Sequence, residues 1–303
     1  MSLAVREDAG SRTSLGVPLL AMGLMFAALS GALMKLMAAE LNPVQITWGR
    51  YVGYFLCVAP IALWRFRARV FNPPHIVAQV MRSVMILATT LLFTYAVKVL
   101  PLAEAIAIIY VYPFIVALLS PWMLAERVPG IAWFGCAAGF AGVLLVMRPD
   151  GEGTGVASLL AVAAGVLYAL HLLFTRMVAA SISALVSTTF LPLVAIVLLT
   201  PTAFVMWEPM SLRQIAYLGA MGAVNAIAHL FIILAYSRAT ASGLAPFSYI
   251  EIVAALVWGL LIFGDVPDTV SIAGIAVIII SGVLVAQGEK LGKLFSRKRG
   301  ATG

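Results

Sequence analysis

The chemistry available to this sequence is concentrated in a few ionisable side chains that interrupt long apolar runs. Glu251 lies near the middle of the apolar run 241–263. A charge in such a run costs at least about 2.5–3.5 kcal/mol on insertion scales, so it is a default functional candidate. Helical spacing places Ser248 and Trp258 around the face of this carboxylate. Glu251 can therefore bind a substrate amine or carry a proton; the alternative is pairing with a basic neighbour that fixes helix packing.

Two histidines and an asparagine form a second group of polar side chains at membrane depth. Asn225 and His229 are four residues apart and share a helix face. His171 lies within the run 155–175, three residues after Tyr168. Together with the carboxylate these groups can relay protons or hydrogen-bond a substrate, and hydrogen bonding between helices is the alternative. We predict no metal site, because the ligands are on separate helices without ligand-type spacing.

Two tyrosines and an arginine complete the candidate site. Tyr110 and Tyr112 lie in the middle of an apolar run, next to Pro113, whose missing N–H frees a backbone carbonyl. The tyrosines can stack on a planar ligand, or they pack between helices. Arg50, near the start of the run 43–64, can bind a carboxylate through its bidentate fork. The alternative for Arg50 is a side chain that extends to the outer interface.

The composition of the chain is that of a polytopic membrane protein. Of its 303 residues, 63% are hydrophobic and 10% are charged, and the mean hydropathy is +1.08. Soluble domains are about 45–50% apolar and about 25% charged, so a soluble enzyme, a disordered protein and a secreted disulfide scaffold are excluded. A membrane helix needs roughly 20 apolar residues. We predict ten such helices, at 15–38, 43–64, 79–97, 103–124, 129–147, 155–175, 184–206, 214–235, 241–263 and 269–287.

Lysine and arginine are distributed unevenly between the two sets of connections. If the N-terminus is inside, the cytoplasmic segments carry fourteen basic residues and the outer segments carry three. Because positive charge near helix ends resists translocation, we predict that both termini are cytoplasmic. The basic residues form no single patch with interleaved aromatic residues, so nucleic acid is not a predicted partner.

The sequence divides into two halves of five predicted helices each. Residues 15–147 and 155–287 are joined by the polar linker 148–154 and flanked by a polar tail, 1–14, and a basic tail, 288–303. An odd number of helices in each half places the two halves in opposite orientations, the inverted repeat common among transporters. The predicted fold is therefore an all-α polytopic membrane protein whose ten transmembrane helices form a 5+5 inverted repeat.

Traces of the repeat survive in the residues themselves. Tyr112–Leu119 aligns with Ile250–Val257, and in the same register Glu126–Pro129 aligns with Gly264–Pro267. This register places the tyrosine pair and Glu251 at matching positions of the two halves.

These residues also carry a family resemblance. The stretch from Ala96 to Ala105, running into Tyr112 and Pro113, resembles the junction of helices 3 and 4 in the EamA group of the drug/metabolite transporter superfamily. Residues 245–251 and 263–265 resemble its helix 9, with Gly-Asp where Gly-Glu is usual. The resemblance spans about 15–287 and implies ten helices, a central cavity and transport of small metabolites without ATP hydrolysis. Substrates across that family include amino acids, nucleotide-sugar-like metabolites, vitamins and cations.

The prediction for function is a secondary transporter that works by alternating access, most simply an exporter of amino acids or related zwitterionic metabolites. An uptake carrier for a larger aromatic or charged metabolite, such as a vitamin or nucleoside derivative, is the alternative within this class. A membrane-embedded enzyme acting on lipid-linked substrates, or a scaffold or sensor that transports nothing, are the alternatives from other classes. The sequence has no P-loop, His-Glu-x-x-His, Gly-x-Ser-x-Gly or Rossmann glycine pattern, so we predict a protein that is not an enzyme.

The predicted partners are a small-molecule substrate, the lipid bilayer of a bacterial inner membrane and protons as a coupling ion, with Glu251 as their carrier. We predict no cofactor, no metal and no obligatory protein partner. The predicted substrate-binding residues are Glu251, His229, Asn225, His171, Tyr110, Tyr112, Ser248, Trp258 and Arg50.

Overall fold

The computed structural model describes residues 4–124, 130–147, 155–178, 183–238 and 244–299, and within these ranges the chain is helical and contains no strand. The linker 148–154 predicted between the two halves lies outside the described residues. The first half contains α1 (Ala4–Ala38), α2 (Pro43–Phe66), a short 3₁₀ helix (Arg67–Phe71), α3 (Ile76–Val97), α4 (Leu102–Ile109), α5 (Tyr112–Met123) and α6 (Gly130–Met147). The second half contains α7 (Gly155–Val178), α8 (Ala184–Val205), α9 (Leu212–Arg238), a 3₁₀ helix (Ala245–Tyr249), α10 (Ile250–Phe263) and α11 (Thr269–Arg299).

The lengths of the helices follow from the apolar runs. Seven helical segments of the described chain are long and apolar enough to cross a membrane, with α4 and α5 together forming one of them. Three further apolar segments are shorter: Trp133–Val146, Phe247–Phe263 and Thr269–Leu284. The prediction of an all-helical chain is confirmed for the described residues, with seven candidate spans, whereas the predicted number of ten spans stays a prediction. The helices α1 and α11 extend beyond their apolar runs into the sequence-defined tails, from Ala4 and to Arg299.

The two halves pack so that equivalent helices exchange partners. The first helix of the first half, α1, packs on the third helix of the second half, α9, and α7 packs on α3 in the same way. Equivalent helices also contact each other directly: α2 with α8, α6 with α11, and α4 with α10. The other large contacts, α2 with α9 and α1 with α10, have smaller counterparts in α8 with α3 and in α7 with α4 and α5. This is the pattern of two similar units related by an approximate two-fold axis.

Two of the predicted helices are interrupted in the middle. The run 103–124 breaks at Tyr110, between α4 and α5, and Pro113, which has no N–H, lies in the first turn of α5. In the described part of the run 241–263, a 3₁₀ helix (Ala245–Tyr249) precedes α10, which begins at Ile250. Glu251 therefore lies in the first turn of α10, and the helix predicted over 241–263 changes from 3₁₀ to α just before this residue.

Polar contacts join the halves at the end of the bundle where α1 ends and α2 begins. The Lys35 ammonium pairs with Asp265 and lies 4.7 Å from the centre of the Phe263 ring. The exposed Arg213 guanidinium pairs with Glu40 at 2.7 Å. Both ion pairs cross from one half to the other, so they hold the halves together at this end.

Candidate functional site

A cavity of about 240 Å³ lies between the two halves. Side chains from α1 to α5 and from α7 to α10 line it, whereas none of its described lining residues comes from α6 or α11. The wall is mainly apolar and aromatic, with a small number of polar groups, as in most small-molecule sites. Seven of the predicted site residues line this cavity: Arg50, Tyr110, Tyr112, His171, Asn225, His229 and Glu251.

The acidic side of the cavity is built at the junction that begins α10. The Tyr110 hydroxyl donates to Glu251 Oε2 at 3.0 Å and lies 2.6 Å from the carbonyl of Ser248. A carboxylate in the first turn of a helix is favoured by the backbone N–H groups there. Within the described chain no lysine or arginine lies within ion-pair distance of Glu251. The carboxylate is therefore held by a tyrosine from the other half and not by a basic neighbour.

The basic side of the cavity is formed by Arg50 on α2. Its Nη2 donates to Asn225 Oδ1 on α9 at 2.7 Å, while its buried Nε has no hydrogen-bond partner among the described residues. His229 contacts the Asn225 carbonyl through Nδ1 at 3.0 Å, and its ring lies 5.3 Å from that of Tyr54. Since Arg50 lines the cavity, its side chain does not extend to the outer interface. A guanidinium with free N–H donors is suited to bind a carboxylate.

A series of aromatic rings joins the acidic side to His171. The ring of Tyr112 lies 5.2 Å from Tyr110 and 4.9 Å from Tyr168, edge to face in the second case. The Tyr168 ring stacks on His171 at 6.0 Å and 11°. Such rings present a continuous surface on which a planar ligand can stack.

The structure does not bring Ser248 and Trp258 into the cavity wall. Ser248 contributes its carbonyl oxygen to the Tyr110 hydroxyl, and the Trp258 indole N–H donates to the carbonyl of Met25 at 3.0 Å. Both residues therefore contact the structure around the cavity without lining it. Ser248 accepts a hydrogen bond from Tyr110, which lines the cavity, and Trp258 joins α10 to α1.

Sequence reasoning missed a buried arginine next to the cavity. Arg82 on α3 is only 5% exposed and donates to Ser187 on α8. Its backbone carbonyl accepts a hydrogen bond from His171 Nδ1 at 2.8 Å. Arg82 is one of the fourteen basic residues that the sequence analysis assigns to the cytoplasmic segments. The available signal was the spacing of Gln79, Arg82 and Ser83, which places three polar residues on one face of an apolar helix.

The fold and the cavity define a class before any relative is considered: a multi-pass, all-helical membrane protein with a cavity between its two halves. The sequence profile of the EamA-like transporter family matches residues 14–148 and 155–287. The chain belongs to this family, part of the drug/metabolite transporter superfamily, and the resemblance noted from its sequence is confirmed.

Similar proteins from bacteria are named transporters. The S-adenosylmethionine uptake transporter of Rickettsia bellii is 20% identical over 96% of this chain and 99% of its own length. The riboflavin transporter of Rhizobium johnstonii is 29% identical over 62% and 63% of the two chains, and the pseudopaline exporter of Pseudomonas aeruginosa is 28% identical over 69% and 74%. A solved crystal structure, 20% identical, shares the fold with a TM-score of 0.61 over 91% of this chain and 97% of that chain.

Proposed function

We propose that this protein is a secondary carrier for a small zwitterionic metabolite that bears an aromatic or heteroaromatic ring. The observation that carries the proposal is one cavity that holds both the free N–H donors of Arg50 and the Glu251 carboxylate, with aromatic rings between Glu251 and His171. A substrate carboxylate would bind Arg50, its ammonium would bind Glu251, and its ring would stack on the Tyr112 and Tyr168 pair.

The proposed architecture is ten spans in a 5+5 inverted repeat with both termini in the cytoplasm of a bacterium. The exchange of helix partners between the halves supports the repeat, and the bias of lysine and arginine supports the orientation. In carriers with inverted repeats, the substrate site lies at the interface of the repeats, and one repeat moves against the other to change access. The cavity between the halves has this position.

The size of the cavity supports a substrate of modest size. Its volume of about 240 Å³ is just below the range of roughly 300–1,000 Å³ that is usual for small-molecule pockets. An aromatic amino acid, or the amino-acid and base portions of a compound such as S-adenosylmethionine, combines the charges and the ring that the cavity can bind. The predictions of amino-acid transport and of transport of a larger aromatic metabolite therefore share one binding chemistry.

Glu251 is the proposed site of proton coupling. Its carboxylate accepts from a neutral tyrosine hydroxyl, and no described basic side chain pairs with it, so a proton and a substrate ammonium can compete for the same oxygens. Competition of this kind couples proton release to substrate binding. Glu251→Gln is then expected to remove stimulation of flux by a pH gradient.

The test is flux of labelled solutes in liposomes containing the purified protein, measured in both directions with and without a pH gradient. The panel comprises tryptophan, histidine, S-adenosylmethionine and riboflavin, with alanine as a zwitterion that has no ring. We expect flux of one or more of the ring-bearing zwitterions, and at least tenfold less flux of alanine.

Arg50→Gln and Arg213→Gln form a matched pair for this test. Loss of the Arg50 guanidinium is expected to raise KM by roughly 30-fold or more, because truncating one member of a buried charge pair costs about 2–5 kcal/mol. Arg213 is exposed and pairs with Glu40, so its replacement is expected to change KM less than about threefold. Equal KM values for both variants, or flux of no solute, would contradict the proposed carrier.

A further inference from the structure

A second buried arginine lies beyond the cavity wall, in a group of polar side chains that the cavity does not include. The Arg82 cluster consists of Gln79 and Arg82 on α3 and Ser187 on α8, with exposed fractions of 0%, 5% and 9%. An Nη1 of Arg82 donates to Ser187 Oγ, which is in turn 3.4 Å from Gln79 Oε1. All three side chains lie in the protein interior and not at the lipid surface.

The donors of the Arg82 cluster outnumber its acceptors. Arg82 Nε and Gln79 Nε2 are buried and have no hydrogen-bond partner among the described residues. No carboxylate of the described chain forms an ion pair with Arg82. A buried guanidinium with a neutral serine as its side-chain partner is a site that an anionic oxygen would complete.

The Arg82 cluster joins the pair of helices that the exchange of the two halves relates to the pair joined at Arg50, although Arg82 is on the helix equivalent to α9 and not on the helix equivalent to α2. Arg50 on α2 bonds to Asn225 on α9, and Arg82 on α3 bonds to Ser187 on α8. The exchange that replaces α2 by α8 and α9 by α3 converts the first pair of helices into the second. Each bridge contains one arginine whose buried Nε has no partner.

The two arginines are at opposite depths. Arg50 follows the start of α2 by seven residues, and Arg82 follows the start of α3 by six. Consecutive helices joined by a short connection run in opposite directions, so at about 1.5 Å per residue each arginine lies roughly 10 Å from a different end of the bundle. His171 separates them: it lines the cavity and contacts the Arg82 carbonyl at 2.8 Å.

We propose that the Arg82 cluster is a second carboxylate-binding station, which the substrate occupies when the carrier opens at the end where α2 ends and α3 begins. This inference rests on the proposed function, since the anion is the carboxylate of the transported solute. Arg50 binds that carboxylate in the central cavity, and Arg82 binds it on the path between the cavity and the cytoplasmic end. Movement of α3 and α8 against each other would open the cluster by separating Arg82 from Ser187.

Thiol labelling tests the site without knowledge of the substrate. Ser187→Cys is made in a chain whose Cys57 and Cys136 are replaced by serine, and anionic and cationic methanethiosulfonate reagents are applied to right-side-out and inside-out vesicles. We expect reaction from the cytoplasmic side only, with a preference for the anionic reagent. Adding Arg82→Gln is expected to reduce this preference about tenfold, the scale of one nearby unit charge, whereas Arg82→Lys is expected to keep it. Ser158→Cys, an equally buried serine at the start of α7, is the control and is expected to resist cytoplasmic labelling.

The same variants are then measured for transport. With tryptophan as the probe, Arg82→Gln is expected to raise KM at least tenfold for entry from the cytoplasmic side and to leave KM from the outer side within twofold. A charge preference that does not depend on Arg82, or absence of labelling from the cytoplasmic side, overturns the station. Equal increases of KM from both sides also overturn the second station, because they would mean that Arg82 acts in the central site or is needed for folding. Failure of the wild-type protein to carry any solute of the panel instead overturns the proposed function, and the labelling still decides whether the cluster binds anions.

Discussion

The junction between α4 and α5 and the junction between the 3₁₀ helix and α10 occupy equivalent places in the two halves. In the alignment of the repeats Tyr112 matches Ile250, and these are the residues at which α5 and α10 begin. Tyr110 matches Ser248, and the Tyr110 hydroxyl lies 2.6 Å from the Ser248 carbonyl. The two breaks therefore meet each other across the axis that relates the halves.

The same backbone geometry carries different chemistry at these two places. The first junction presents tyrosines and a proline, while the second presents Glu251 at the position that matches Pro113. At each junction an aromatic ring also packs closely on a glycine of a neighbouring helix: Phe114 on Gly139, and Tyr249 on Gly282. The two junctions therefore share a backbone arrangement and differ in the side chains that they present to the cavity.

The largest effect is expected when the acidic side of this comparison is removed. Glu251→Gln eliminates the charge but keeps the shape, and truncating one member of a buried charge pair costs about 2–5 kcal/mol. Flux at low substrate concentration is expected to fall roughly 30-fold or more, with Glu251→Asp retaining part of it. Glu40→Gln, which alters an ion pair at the end of the bundle, is the control, and wild-type flux in Glu251→Gln would show that the junctions do not differ in function.

The contact between the two junctions is tested by Tyr110→Phe. This change removes the hydroxyl that bonds to Glu251 and lies beside the Ser248 carbonyl, and a hydrogen bond to a charged group contributes about 1.5–3 kcal/mol. We expect KM to rise roughly tenfold and the thermal midpoint in detergent to fall. Tyr217→Phe is the matched control, since Tyr217 is a half-buried tyrosine that does not line the cavity; an equal response of the two variants would argue against a specific junction contact.

Replacing the glycine that contacts the Tyr249 ring is expected to give a smaller effect, mainly on the stability of the protein. A Cβ at Gly282 would overlap the Tyr249 ring, and overpacking of this kind costs about 1–3 kcal/mol. Gly282→Ala is expected to lower the unfolding midpoint by several degrees. Gly259→Ala is the control, because its new Cβ would lie at an ordinary 3.9 Å from Asp265 Cβ, and it is expected to leave the midpoint almost unchanged. A larger loss for Gly259→Ala than for Gly282→Ala would contradict close packing of Tyr249 on Gly282.

The smallest effect is expected at the proline of the first junction. Pro113 lies in the first turn of α5, where a missing N–H costs little. Compared with alanine, proline stabilises the folded state by about 0.4–1 kcal/mol because it reduces the conformational freedom of the unfolded chain. Pro113→Ala is expected to lower the midpoint by at most a few degrees. A loss comparable to that of Gly282→Ala would show that proline itself, and not packing between the halves, maintains the break.

Most of the helices could be predicted from the sequence, and seven of the nine candidate side chains line one cavity, because an apolar run and a charge within it are local signals. That these side chains bind a substrate stays a prediction. The change from 3₁₀ to α-helix just before Glu251 shows the limit of such signals. The spacing of apolar residues does not distinguish one α-helix from a 3₁₀ segment that is followed by an α-helix. Trp258 was predicted from helical spacing alone, which does not tell whether a face is directed at a cavity or at a neighbouring helix such as α1. Arg82 was missed because its position near a run of basic residues suggested a connection.

The sequence by itself determined that this is a polytopic helical membrane protein with two similar halves, since the composition, the spacing of apolar runs and the repeat are properties of the chain. Only the tertiary structure decided which polar groups meet. Arg50, Glu251 and His171 are far apart in sequence and reach one cavity because α1 packs on α9 and α3 on α7. Arg82 was left with unsatisfied donors because α8 offers a serine there and not a carboxylate. Pairing across the halves depends on packing between distant helices, and no local pattern specifies it.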